Sequence, residues 1–156
     1  MYKIIVFDLD DTLTPSKSKM DQQMLDLLNK LLNKYKVAII TWWEFEQISK
    51  QVINHLDKNN TNFSNFYIFP TCWAKMYQYN DIKYTKKYSE DLTESEINKI
   101  ILTLQKAINK LWLKQKKSWW ETIENRWTQI TYSSLWADCP LDIKSKWDPD
   151  CKIRQK

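Results

Sequence analysis

The 156-residue chain contains no glycine. Average usage near 7% would place about 11 glycines in this length, and chance does not empty it. It has one histidine, His55, and three cysteines, Cys72, Cys139 and Cys151, without C-x-x-C spacing. So sparse a set argues against zinc, and an odd number of thiols argues against a disulfide framework. His55 falls late in an expected helix, where a solvated or capping role is read in preference to catalysis. No apolar run approaches the roughly 20 residues that span a bilayer. The first residues enter a strand directly, without the charged, apolar and small-residue regions of a signal peptide. The expectation is a cytoplasmic protein with no membrane partner.

Tryptophan is abundant where glycine is missing: there are nine. Several fall where loops favour glycine, at Thr41-Trp42-Trp43-Glu44 after a strand, Thr71-Cys72-Trp73, Arg126-Trp127-Thr128 and Leu135-Trp136-Ala137. Only glycine takes positive φ and close backbone approach without steric cost. A gene whose UGA codons mean glycine, translated with a table that reads UGA as tryptophan, would give this pattern. Trp119 and Trp147 read as ordinary tryptophans. With 43% hydrophobic, 14% aromatic and 28% charged residues, the chain is globular, with one core and room for a small second lobe. The net charge of +5 admits nucleic acid, but the lysines are dispersed among Asn and Ile, so a small phosphorylated partner is expected instead.

The chemistry concentrates in Ile4-Ile5-Val6-Phe7-Asp8-Leu9-Asp10-Asp11-Thr12-Leu13-Thr14. Residues two apart in an extended strand face the same way, so Asp8 and Asp10 project together where the strand ends. Two carboxylates so close repel unless a cation or shared proton offsets the charge, which points to Mg²⁺ or acid/base work. Residues 3–7 read as a buried parallel strand. Asp21 is an N-cap for a helix whose stripe is Met24, Leu27, Leu28, Leu31, Leu32 and Tyr35. Val37-Ala38-Ile39-Ile40 is a second strand, and strand-helix-strand predicts a βαβ unit that brings Thr41 beside Asp8. Thr41 alone would serve equally as an N-cap; beside Asp8 its hydroxyl can hold phosphate, next to a helix expected over 44–56.

Phe66-Tyr67-Ile68-Phe69-Pro70 reads as a strand stopped by proline. Residues 75–79 and 82–84 alternate around Asn80-Asp81 as a hairpin, and 86–91 reads as a connection to another lobe. Thr93-Glu94-Ser95-Glu96 has the capping-box form ahead of an amphipathic helix bearing Ile97, Ile100, Ile101, Leu104, Ile108 and Leu111. Residues 122–126 and 128–132 are strand-like. The expected architecture is α/β, with a core over 1–85 and an α+β cap over 86–156.

The N-terminal strand-Asp-x-Asp-x-Thr motif and the following strand-Thr resemble the haloacid dehalogenase-like (HAD) superfamily of phosphohydrolases. Phe7 to Pro15, Phe69-Pro70, residues 123–134 and Lys152 to Lys156 resemble its type IIB-cap subfamily, which includes eukaryotic phosphomannomutases. The resemblance covers essentially all 156 residues. It implies a HAD-like parallel core with flanking helices, a Mg²⁺ cofactor held by the Asp8 carboxylate and the Asp10 backbone carbonyl, Asp8 as nucleophile and the Asp10 side chain as acid and base. It assigns phosphate binding to Thr41, Asp11 and Thr12, and a cap contact to substrate to Arg126. Against that family, Trp42, Trp43, Trp73, Trp120, Trp127 and Trp136 fall on glycine positions.

Three departures shape the expectation. The family's lysine motif and late acidic metal motif lie in a return segment beyond the cap, which implies a truncated chain. Tryptophans at 42 and 43 would place two indoles beside the phosphate loop and block it. Where a mutase carries glycine-arginine in the cap, this chain reads Trp136-Ala137, which favours a phosphatase over a phosphomannomutase. A non-catalytic binding module is the alternative of another class.

Overall fold

The structure, a computed structural model, describes residues 4–111, 122–135, 139–140, 143, 146–152 and 155. Trp120, Trp136 and Ala137, and most of the helix start expected over 152–156, lie outside the described residues. The chain divides into two compact units, Met1–Asp91 and Leu92–Lys156.

The first unit is built on a five-stranded sheet of order β1-β2-β3-β4-β5: β1 (Ile5–Asp8), β2 (Val37–Ile40), β3 (Phe66–Phe69), β4 (Lys75–Tyr79) and β5 (Tyr84–Ser89). The first three strands run parallel, with Asp8 paired to Ile40 and Ile40 to Phe69, so their carboxyl ends are level. β4 and β5 then turn antiparallel. The helix α1 (Gln22–Leu32) joins β1 to β2, and the expected cap is present: Asp21 accepts from the Met24 N–H at 2.8 Å. Its buried face is Leu25, Leu28 and Leu32, whereas Leu27 and Tyr35 from the expected stripe are 52% and 46% exposed. The rest of the expected stripe faces the core, with Leu28 and Leu32 buried and Met24 and Leu31 packed against it, and Tyr35 lies beyond the helix end.

Core residues from α1, β2 and β3, among them Leu28, Leu32, Val37, Ile39, Phe66 and Ile68, form one cluster with Leu9, Leu13 and Met20 from the segment after β1. β1 itself is not the fully buried strand its composition implied. It lies at the end of the sheet order, and Ile4 and Val6 are 39% and 45% exposed. The helix expected over 44–56 is two pieces, α2 (Phe45–Gln51) and a 3₁₀ turn at Ile53–His55. His55 sits in that turn with Nε2 2.9 Å from the Lys50 carbonyl oxygen. β5 reaches Ser89, into residues 86–91 expected as a connection, because Lys75 pairs with Ser89 and Met76 with Tyr88 past a bulge.

The second unit contains α3 (Glu94–Lys110) and an antiparallel pair, β6 (Ile123–Asn125) and β7 (Ile130–Tyr132). The capping box forms as its sequence requires. Thr93 Oγ1 accepts from the Glu96 N–H, while the Glu96 carboxylate accepts from the Thr93 N–H at 2.8 Å. Those Thr93 donors hold the Glu96 carboxyl below its ordinary value. Among the described residues no helix is long and apolar enough to cross a membrane.

Candidate active site

Because β1, β2 and β3 are parallel and in level register, three loops emerge side by side at their carboxyl ends, the edge at which open α/β sheets bind ligands. An open cleft of about 420 Å³ lies there, lined by Asp8, Asp10, Asp11, Ser16, Thr41 and Cys72 among others. The extended-strand argument put both carboxylates on one side, but only Asp8 is in the strand. The chain then folds tightly, the Leu9 carbonyl accepting from the N–H groups of Thr12, Leu13 and Thr14. Leu9 is fully buried, and an isolated bridge between Asp10 and Thr14 turns Asp10 back to the same edge.

Asp8 is exposed, and Thr12 Oγ1 donates to its Oδ2 at 3.1 Å. That hydroxyl orients the carboxylate. Asp11 has φ of 57° and its N–H donates to the Thr14 carbonyl, so what it offers the cleft is a carboxylate, an acceptor already taking the Ser16 N–H at 3.2 Å. Thr41 follows β2 immediately and is buried; its Oγ1 accepts from the Trp43 N–H at 3.4 Å. Backbone bonds lace the loops together, Thr41 N–H to the Phe69 carbonyl and Cys72 N–H to the Thr41 carbonyl at 2.9 Å.

The two indoles expected beside the phosphate loop converge on one atom. Trp42 Nε1 donates to Asp10 Oδ2 at 3.2 Å, and Trp43 Nε1 donates to the same oxygen. Trp42 lines the cleft and is 48% exposed, while Trp43 is buried with Lys17 Nζ over its ring. Neither has positive φ, so the backbone alone does not demand glycine at 42 or 43.

Arg126 lies in the second unit. It is 6% exposed, with Nη2 2.7 Å from Glu124 Oε2 and Nη1 donating to Gln129 Oε1, so its guanidinium is engaged within the β6–β7 pair. Two cleft features were not drawn from the sequence. Cys72 lines the cleft, which only the topology could reveal. Lys75, with a side chain 8% exposed, forms an ion pair to Glu44 at 2.7 Å that ties the loop after β2 to the start of β4. A single lysine ahead of alternating aromatic positions was its only signal.

The donors at the cleft are hard oxygens, the type Mg²⁺ takes. Among the described residues no group of three or more His, Cys, Asp or Glu could hold a metal. That is compatible with Mg²⁺, which keeps water and substrate phosphate alongside one or two carboxylates, but not with a closed protein cage.

No protein-family model matches the chain. It is similar to phosphomannomutase 1 of Mus musculus, at 24% identity over 156 residues, which take in 98% of this chain and 58% of the mouse protein. It is also similar to the structure of Plasmodium falciparum IMP-nucleotidase, with a TM-score of 0.59 and 18% identity over 82% of this chain and 38% of that one. The ATP-bound form of that nucleotidase gives a TM-score of 0.58 at 18% identity, over 82% and 34% of the two chains. The chain thus spans little more than half of the mouse protein and less than half of the nucleotidase. Its parallel-containing sheet with flanking helices is a haloacid dehalogenase-like fold.

Proposed function

We propose that the protein acts as a Mg²⁺-dependent phosphohydrolase that forms an aspartyl-phosphate on a small phosphorylated metabolite, with sugar phosphates the favoured class. The observation that carries this reading is the exposed Asp8 carboxylate at the end of β1, oriented by Thr12 and sharing its cleft with Thr41, which directly follows the neighbouring strand. An Asp8 oxygen attacks phosphorus and the bond from phosphorus to the ester oxygen breaks. Asp10 gives its proton to the departing alkoxide. A water then attacks the phosphorus of the aspartyl-phosphate, Asp10 takes its proton, and phosphate leaves with the Asp8 carboxylate restored. The Thr41 hydroxyl donates to a phosphoryl oxygen. The Asp8 carboxylate and the Asp10 backbone carbonyl would hold Mg²⁺, which would supply positive charge to offset the approach of an anionic nucleophile to an anionic phosphate.

The test is hydrolysis of p-nitrophenyl phosphate with Mg²⁺. Asp8→Asn is expected to reduce turnover to background, and Asp10→Asn to lower kcat about 10²–10⁴-fold. Turnover that survives Asp8→Asn would refute the nucleophile. The similarity to phosphomannomutase 1 favours a second reading, transfer of the phosphoryl group within a sugar. A coupled assay on mannose 1-phosphate separates it, since a mutase yields the 6-phosphate and a phosphatase releases phosphate.

A further inference from the structure

Among the described residues, those with positive φ are Asp11, Lys17, Thr71, Cys72, Trp73, Asp81, Trp127 and Cys151. Asp11 and Asp81 carry short polar side chains that enter the left-handed region readily. Trp73 and Trp127 do not, yet their φ values are 79° and 67°. In L-residues with a Cβ this conformation is costly; Trp73 and Trp127 are 48% and 57% exposed, and Trp73 offsets part of the cost by stacking on Phe69.

The turns specify the residue they want. Between β3 and β4 the Ala74 N–H donates to the Thr71 carbonyl at 3.2 Å, with both central residues, Cys72 and Trp73, at positive φ. That is the type I′ pattern, dominated by Gly, Asn and Asp. Between β6 and β7 the Thr128 N–H donates to the Arg126 carbonyl at 2.8 Å across Trp127. A three-residue turn with positive φ at its centre is rare and strained for any residue with a side chain. At 42 and 43 both indole N–H groups donate to Asp10 Oδ2, one of the two oxygens of the carboxylate read as acid and base.

We infer that positions 42, 43, 73 and 127 are glycine in the protein as its own cells make it, from codons written here as tryptophan. The absence of glycine beside nine tryptophans agrees in direction with that substitution. Glycine at 73 and 127 relieves two turns. Glycine at 42 and 43 removes both indoles from Asp10, and this half of the inference rests on the catalytic reading above, whereas 73 and 127 rest on the backbone alone.

Peptide mass spectrometry of the protein isolated from its native cells tests all four positions. Glycine is expected at each, and tryptophan at 73 or 127 would overturn the inference. In recombinant full chain, Trp73→Gly with Trp127→Gly is expected to raise the thermal midpoint, by about 1 °C at 73, where stacking on Phe69 is given up, and by about 2–4 °C at 127, and an unchanged or lower midpoint for the pair would count against the strain argument. Trp42→Gly with Trp43→Gly is expected to raise Mg²⁺-dependent turnover of p-nitrophenyl phosphate above that of the chain as written. Glycine found at all four positions without any turnover would uphold this inference and count against the phosphatase.

Discussion

The two turns that flank β4 have central residues of the same hand and opposite chemistry. At the far end Asp81 has φ of 70°, and the turn is built for it: Asn80 Oδ1 accepts from the N–H groups of Ile82 and Lys83, and the Asn80 N–H reaches the Lys83 carbonyl at 3.1 Å. At the cleft end Thr71, Cys72 and Trp73 hold φ of 49°, 54° and 79° in succession, with a β-branched residue and an indole among them. Asp and Asn tolerate this backbone and a β-branched residue is an outlier there. The first turn agrees with its sequence, while the second conflicts with it and is the one whose Cys72 lines the cleft. The conflict at the second turn persists because the bonds around it over-determine the backbone.

Those surrounding bonds give the largest expected effect. Lys75 begins β4 beside the conflicted turn, and its Nζ lies 2.7 and 3.0 Å from the two Glu44 oxygens. Lys75→Ala would leave Glu44, 27% exposed, without this partner, at an expected cost of about 3 kcal/mol by chemical denaturation. The estimate is placed at the low end for a broken pair because Glu44 keeps some water. A loss under about 0.5 kcal/mol would mean that the ion pair does not hold the turn.

At the other turn the expected effect is smaller and opposite in sign. Tyr84 opens β5 among Phe45, Phe63 and Tyr79, with ring centroids 5.5, 6.3 and 5.4 Å away, and its buried hydroxyl has no hydrogen-bond partner among the described residues. Tyr84→Phe is expected to stabilise by about 1 kcal/mol, since a buried polar group without a partner loses its hydration uncompensated. Burial, and then the neighbouring Tyr79, push the Tyr84 hydroxyl well above its ordinary value of 10.0. In the unfolded chain it ionises near that value while the folded chain keeps the proton, so this stability is present below pH 10 and is lost as pH rises beyond it. Tyr84→Phe should flatten the alkaline decline measured by thermal melts. An unchanged slope would assign the decline to Tyr77 and Tyr88, which burial also raises.

How much of this was legible in the sequence follows the same division. Asp21, the Thr93–Glu96 box and the Asn80-Asp81 hairpin were readable because each encodes its conformation in side chains that bond the local backbone. The approach of Thr41 to Asp8 was readable because a βαβ unit has few topologies. Leu27 misled because periodicity alone does not set the width of a helical stripe. The exposure of Val6 was hidden because an edge strand and a central one can share a composition. Cys72 and the Glu44–Lys75 pair were invisible, since both depend on contacts across about 30 residues that no local pattern reports.

The finest test exchanges one residue for glycine in each of the two turns. Asp81→Gly keeps the left-handed backbone, whose Asn80 cap is untouched, and gives up only a tolerated side chain and its bond from Ser64 Oγ at 3.4 Å. Glycine also gains freedom in the unfolded chain, so the net change should be a loss of a few tenths of a kcal/mol. Trp73→Gly incurs the same unfolded-state cost. It also relieves a Cβ at φ of 79°, giving up the stacking of Trp73 on Phe69, whose centroids are 4.1 Å apart. Strain relief of about 1–2 kcal/mol, against a stacking contribution of about 0.5–1.5 kcal/mol and an unfolded-state cost of a few tenths, leaves a net gain of a few tenths of a kcal/mol. Opposite signs in paired melts would uphold the contrast between the turns, and equal losses would show that Phe69 holds Trp73 firmly enough to make an indole native at that position.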